Sequence, residues 1–147
     1  MYLHDELKQL DDAIEQFIKT AHHVTLSQEV YADGWSAKEI IAHLVFWHEY
    51  YVTVLKALAN DEDPPLMEGT AEKNKFAAPI AKKNSREELL NRLVKAQQKF
   101  KKYIVLVKIP LIPYNKTAMK RPPKDYVSVI AKHVAKHEKD LHKALKK

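Results

Sequence analysis

Glycine is nearly absent from this chain, with two residues, Gly34 and Gly69, among 147. An all-β protein of this length needs many tight turns, and tight turns depend on glycine for backbone conformations with positive φ. The seven prolines lie in residues 61–84 and 110–123, which marks both stretches as connections. The sequence therefore predicts an all-α fold of long helices, and its length is that of one domain spanning residues 1–147.

Four helices are predicted from apolar residues that recur every three or four positions. They cover about residues 2–24, 36–59, 85–110 and 123 to the C-terminus. Ser36 and Ser85 each begin a Ser-x-x-Glu capping box, and Pro123 suits the first position of a helix. The connection at residues 61–84 is longer than a turn between bundled helices requires. We therefore expect a single four-helix bundle with a long connection between its second and third helices.

The second predicted helix is apolar on nearly every side. A helix of this kind is either buried by several neighbours, or one of its faces lines a pocket or a contact between copies such as a homodimer. The sequence leaves these alternatives open.

Charge is divided unequally along the chain. Residues 1–73 contain 5 lysines and 14 acidic residues, whereas residues 74–147 contain 20 basic and 5 acidic residues. A basic half can bind nucleic acid or another anion, but no recognition motif is present and lysine dominates. Acidic helices that complement basic helices within one bundle explain the pattern equally well, so we expect no nucleic-acid partner.

Several classes of protein are excluded or disfavoured. The absence of cysteine rules out disulfides, thiolate metal sites and a cysteine nucleophile. No apolar run approaches the ~18 residues of a membrane span, and the N-terminus is acidic where a signal peptide would be basic and then apolar. We expect a cytoplasmic protein without a membrane partner.

Three histidines lie on apolar helix faces. His133 and His137 are four residues apart on the last helix, so their side chains share one face, and His43 lies on an apolar face of the second helix. A histidine at such a position is often a hydrogen-bonded core residue. Three of them in one core layer favour a divalent metal site, and three imidazoles with an open fourth position are typical of catalytic zinc-type centres, where bound water becomes a nucleophile.

Other candidate residues surround this set. His48 and Glu49 follow on the second helix as candidate acid/base groups, although His43 and His48 cannot face the same point. Trp47 and Tyr50 are candidate residues of a substrate pocket. The His133–His137 pair is not the metalloprotease helix, because Val134 stands where the general-base glutamate is required.

The order of the motifs resembles one known superfamily. The run Gly34-Trp35-Ser36-Ala37-Lys38-Glu39-Ile40-Ile41-Ala42-His43-Leu44 resembles the second-helix signature of the DinB-like bundles. Its continuation, Val45-Phe46-Trp47-His48-Glu49, is more similar to the ClbS/DfsB-like branch, as is the stretch from Asn74 to Leu90.

The resemblance carries its own expectations. In metal-binding members, one histidine of helix two joins a His-x-x-x-His pair of helix four around a zinc- or nickel-type ion, which corresponds here to His43, His133 and His137. Superfamily activities include thiol-dependent transfer and hydrolysis of small electrophiles, so a low-molecular-weight thiol and a small-molecule substrate are implied. Many ClbS/DfsB-like members lack the full pair, which leaves a metal-free binding or self-protection protein as the alternative.

Overall fold

Four long helices and one short helix make up the computed structural model, which describes residues 3–30, 34–69, 74–116 and 118–145. The elements, in chain order, are α1 (His4–Ala21), α2 (Ala37–Ala59), α3 (Ala77–Lys83), α4 (Arg86–Ile104) and α5 (Pro123–Leu145). Within the described ranges, extended pairing is limited to two isolated bridges, Glu29 with Ser36 and Ile112 with Arg121. The predicted all-α bundle is confirmed.

Both capping boxes form at the predicted helix starts. The Glu39 amide donates to the Ser36 hydroxyl over 3.2 Å, and the Glu39 carboxylate accepts from the Ser36 amide over 3.1 Å. The same reciprocal pair joins Ser85 and Glu88, and α5 begins at Pro123. Helices α1 and α4 end at Ala21 and Ile104, earlier than the predicted ends at about residues 24 and 110.

Helix α3 lies in the stretch that was predicted as a connection. Its seven residues are too few to display a helical apolar period, and Pro79 argues against a helix interior. Proline is tolerated here because it falls in the first turn, where a backbone N–H has no partner within the helix. Ala77 and Ala81 are buried, and α3 packs against α2.

The helix directions explain the length of this connection. Lys38 and Glu49 of α2 lie near Glu88 and Arg92 of α4, so the two helices run parallel. A chain leaving the end of α2 must therefore return along the whole bundle before α4 can begin. Helix α5 runs antiparallel to α2, since the ring of Trp47 packs on His133 while that of Tyr51 packs on Tyr126.

The core lies between two helix pairs, α1 with α5 and α2 with α4. Because α3, α4 and α5 all cover α2, packing within the chain accounts for a helix that is apolar all round. The apolar residues of the third predicted helix recur at positions that include Val94, which predicts a buried Val94 on α4. In the structure Val94 is instead 41% exposed. Among the described helices, none is long and apolar enough to cross a membrane.

Candidate metal centre

His133 and His137 lie one turn apart on the face of α5 that is directed toward α2. Their Nε2 atoms are 2.9 Å apart, and their ring centroids are separated by 4.5 Å. The helix places them there because residues four apart project from the same side. Ile130 and Leu141, the apolar residues on either side of the pair, are fully buried, and they fix this face of α5 in the core.

His43 reaches the same point from α2. Its ring centroid lies 4.9 Å from that of His137 and 5.9 Å from that of His133. One ring nitrogen from each of the three residues can be chosen so that all lie within 4.8 Å of one another. His43 and His137 are buried and His133 is half-buried, so the structure brings together the three histidines predicted from sequence.

Burial keeps the imidazoles of His43 and His137 neutral. It lowers the pKa of His43 to about 4, and the nearby His133 and Lys136 act in the same direction. The pKa of His137 is also lowered to about 4, again chiefly by burial and then by His43, while Asp140 opposes the shift. A ring that is neutral at physiological pH has a lone pair available for a metal ion.

Two tryptophans pack against the cluster. The indole of Trp47 lies 4.8 Å from the His133 ring and 5.3 Å from the His43 ring, between centroids. Trp35, which precedes the α2 cap, meets the His43 ring edge to face at 5.1 Å. These side chains form an aromatic wall around the imidazoles.

Tyr50, the second candidate for the substrate pocket, is held by hydrogen bonds of its hydroxyl. Its hydroxyl donates to the Tyr114 carbonyl and accepts from the Met67 amide, each over 3.1 Å. It therefore joins the segment after α2 to the segment before α5.

His48 and Glu49 are directed toward α4, whereas His43 faces α5. The His48 ring stacks on Phe100, and its Nε2 donates to the Gln97 side-chain oxygen over 2.7 Å. Glu49 forms an ion pair with Arg92. The structure does not bring these two acid/base candidates to the three-histidine cluster.

Two polar residues of the interior escaped the sequence analysis. Gln97, placed among the apolar residues of its helix, joins His48 to Asp11 across the core, since its amide donates to the Asp11 carboxylate over 2.8 Å. Asp140 is 8% exposed and lies 3.9 Å from His137, measured between Oδ2 and Nδ1. Asp140 follows His137 by three residues, and this spacing on a helix could have predicted that the two side chains lie on the same face.

The donor set fits a divalent transition metal. Three imidazoles suit zinc and nickel, which accept nitrogen ligands. Nδ1 of His43 is buried and has no hydrogen-bond partner among the described residues. A buried polar atom in this condition is costly unless something else satisfies it. Binding of an ion through the cluster would offset part of the cost of placing three imidazoles in the core.

Comparison with known proteins identifies the fold. The structure is similar to the crystal structure of a mycothiol-dependent maleylpyruvate isomerase, with a TM-score of 0.74 and 13% sequence identity. A histidine-to-alanine variant of that enzyme gives a TM-score of 0.75 at 12% identity. Each match covers 96% of this chain and 61% of the other, so the chain spans about three-fifths of the neighbours' length. The bundle is therefore a DinB-like fold.

Sequence comparison adds no family assignment. No protein family's sequence profile matches the chain, and no curated protein is significantly similar to it in sequence.

Proposed function

We propose that the protein is a metal-dependent enzyme in which His43, His133 and His137 hold a divalent ion of the zinc or nickel type. The observation that carries the proposal is the convergence, within 4.8 Å, of three imidazole nitrogens from two helices in an apolar, aromatic environment. Such an ion acts as a Lewis acid and makes water or a thiol nucleophilic at neutral pH.

The chain's own residues prepare the site for this role. Burial keeps His43 and His137 uncharged, so neither ring must lose a proton before it binds an ion. Trp47 and Trp35 contact the imidazole of His43, and a small planar substrate could pack against their rings. We assign Trp47 to the substrate pocket. Tyr50 supports the pocket indirectly, through its contacts with Tyr114 and Met67.

The substrate class in this proposal is a small electrophile, and the co-substrate is a low-molecular-weight thiol or water. The chain contains no cysteine, so a thiol must come from outside it. The structural neighbours are named for dependence on mycothiol, which supports the thiol over water. Transfer of the thiol to the substrate and hydrolysis are the two reactions to be tested.

One observation favours the alternative, a metal-free binding or self-protection protein of the ClbS/DfsB-like kind. The Nε2 atoms of His133 and His137 are already at hydrogen-bond distance, 2.9 Å. That contact satisfies part of the polar cluster without an ion. In this alternative the aromatic wall holds a ligand and no reaction takes place.

Metal analysis of protein purified without a nickel column tests the proposal. We expect about one equivalent of zinc, nickel or a similar ion per chain, and its loss from a His43→Ala variant. The matched control is His142→Ala, which removes a half-exposed histidine of the same protein. The metal-loaded protein should then be assayed for maleylpyruvate isomerisation with mycothiol. Wild-type protein that binds neither zinc nor nickel would support the metal-free alternative.

A further inference from the structure

A carboxylate stands behind one of the three imidazoles. Nε2 of His137 is directed toward His133, which leaves Nδ1 on the outer side of the ring. That atom is 3.9 Å from Oδ2 of Asp140, an electrostatic contact that becomes a hydrogen bond when the two atoms approach by about 1 Å. The side chains of His137 and Asp140 are 9% and 12% exposed.

The carboxylate is also held from the solvent side. Nζ of Lys136 lies 3.5 Å from one carboxylate oxygen, and Nζ of Lys143 lies 3.5 Å from the other. Both lysines are about two-thirds exposed, and they balance part of the negative charge of the carboxylate. Asp140 is thus the acidic side chain that α5 itself directs at the cluster.

The contact with Asp140 affects which ring nitrogen of His137 carries the proton. A neutral imidazole has one N–H, and two rings that meet Nε2 to Nε2 need one donor and one acceptor. A carboxylate beside Nδ1 favours the form of His137 with its proton on Nδ1, because only that form donates to it. His137 then accepts at Nε2, and His133 is the donor of the pair.

We propose that Asp140 is the positioning residue of the site: it accepts the Nδ1 proton of His137 and keeps the Nε2 lone pair directed at the shared ligand position. The inference deepens the proposed function and rests on it. Partners of this kind fix the form and orientation of a ligating imidazole, and their loss commonly costs 10–100-fold in metal affinity.

The first measurement needs no metal. Nitrogen-15 NMR of the imidazoles in the metal-free protein reports which ring nitrogen of each histidine carries the proton. We expect His137 to carry it on Nδ1 in the wild type and to shift toward a mixture of both forms in Asp140→Asn. Wild-type protein with the His137 proton on Nε2 would overturn the proposal.

The second measurement is zinc affinity, obtained by competition with a chromophoric chelator. Asp140→Asn should bind zinc about 10–100-fold more weakly than the wild type. The control is Glu138→Gln, which changes an acidic residue of the same helix whose carboxylate accepts from Thr20 over 2.7 Å and lies away from the cluster. Glu138→Gln should retain wild-type affinity.

The outcomes separate this inference from the function on which it rests. If wild-type protein binds no zinc or nickel, the proposed function fails, whatever the NMR shows. If wild-type and Asp140→Asn proteins bind zinc equally well, the metal site stands and the role of Asp140 is refuted. Thermal melts of all three proteins show whether a change in affinity reflects a loss of folding.

Discussion

His133 is the residue at which a ligand can best be distinguished from a packed core side chain. Leucine is close to it in size but cannot form the 2.9 Å contact with Nε2 of His137, so in a metal-free core the substitution His133→Leu should lower the free energy of unfolding by about 1–3 kcal/mol whether or not metal is added. If His133 is a ligand, zinc or nickel should raise the melting temperature of the wild type but not that of the variant. The stabilisation lost is about 2.7 kcal/mol at a hundredfold excess of metal over its Kd.

Thermal melts with added metal and with chelator provide the measurement. His142→Leu, at a half-exposed position of α5, is the control and should respond to metal as the wild type does. A wild-type melting temperature that changes with neither metal nor chelator would argue against the enzyme proposed here.

His48 should make stability depend on pH. Burial lowers the pKa of His48 to about 4, although its hydrogen bond to Gln97 opposes the shift. The unfolded chain therefore takes up a proton near pH 6.5 that the folded protein resists until about pH 4. The free energy of unfolding should fall as the pH drops through this window, by about 3 kcal/mol from this residue.

The variant His48→Gln keeps a donor for Gln97 and does not titrate. Its free energy of unfolding, measured with urea and chelator, should fall less than that of the wild type between about pH 7 and about pH 4.5. The exposed-site variant His142→Gln should retain the wild-type slope. Equal slopes in all three proteins would show that His48 is not the group responsible.

At the scale of the elements, Arg86 holds the end of α1. Its guanidinium donates to the carbonyls of Ala21, the last residue of α1, and of His22 and Val24 just beyond it. A carbonyl at the end of a helix has no partner within the helix. The first residue of α4 therefore closes a helix that is more than sixty residues away in the chain. Arginine suits the task because its planar group offers several donors at once.

Arg86→Ala should lower the free energy of unfolding by about 2 kcal/mol, since three carbonyls lose charged donors at a partly exposed site. The free energy of unfolding should fall less in Arg86→Lys, because lysine keeps the positive charge and loses only the planar set of guanidinium donors. Urea unfolding at neutral pH provides both values, with exposed Lys95→Ala as the control. If the free energy of unfolding is the same in Arg86→Ala as in the wild type, water replaces these hydrogen bonds without cost.

Local signals were sufficient for most of the elements. Three helix starts are determined by interactions within one helical turn, so they could be predicted from the local sequence. They are the capping boxes at Ser36 and Ser85 and the proline at position 123. Helix α3 was missed because its stability comes from packing on α2 rather than from its own pattern. Val94 was misplaced for a related reason: the apolar period of α4 is regular, but the neighbouring helices do not cover that side.

The candidate site was predicted in part. His43, His133 and His137 could be selected because each interrupts an apolar face, and a four-residue spacing on one helix implies proximity. The contacts of His48 with Gln97 and of Asp11 with Gln97 could not be selected, because they depend on how α1, α2 and α4 are arranged. That arrangement follows from tertiary packing and not from any short motif.

For the whole molecule, the structure pairs its acidic and basic halves. The Glu49–Arg92, Asp11–Lys101 and Glu68–Lys116 ion pairs each join an acidic residue of the first half to a basic residue of the second. We therefore expect weak binding to random duplex DNA at physiological salt. Fluorescence anisotropy with a labelled duplex tests this, and sub-micromolar affinity with a steep dependence on salt would restore the nucleic-acid alternative.

The three histidines lie where the two helix pairs meet, and α2 and α5 contact each other less extensively there than the helices within each pair do. An ion bound at that junction would link the α1–α5 pair to the α2–α4 pair, which otherwise contact each other less extensively than the helices within each pair do. Removal of the ion should weaken the contact between the pairs before either pair unfolds. Amide hydrogens of α2 and α5 near the cluster should therefore exchange first. In such a molecule, the supply of metal would govern how readily the bundle opens as well as what it can react with.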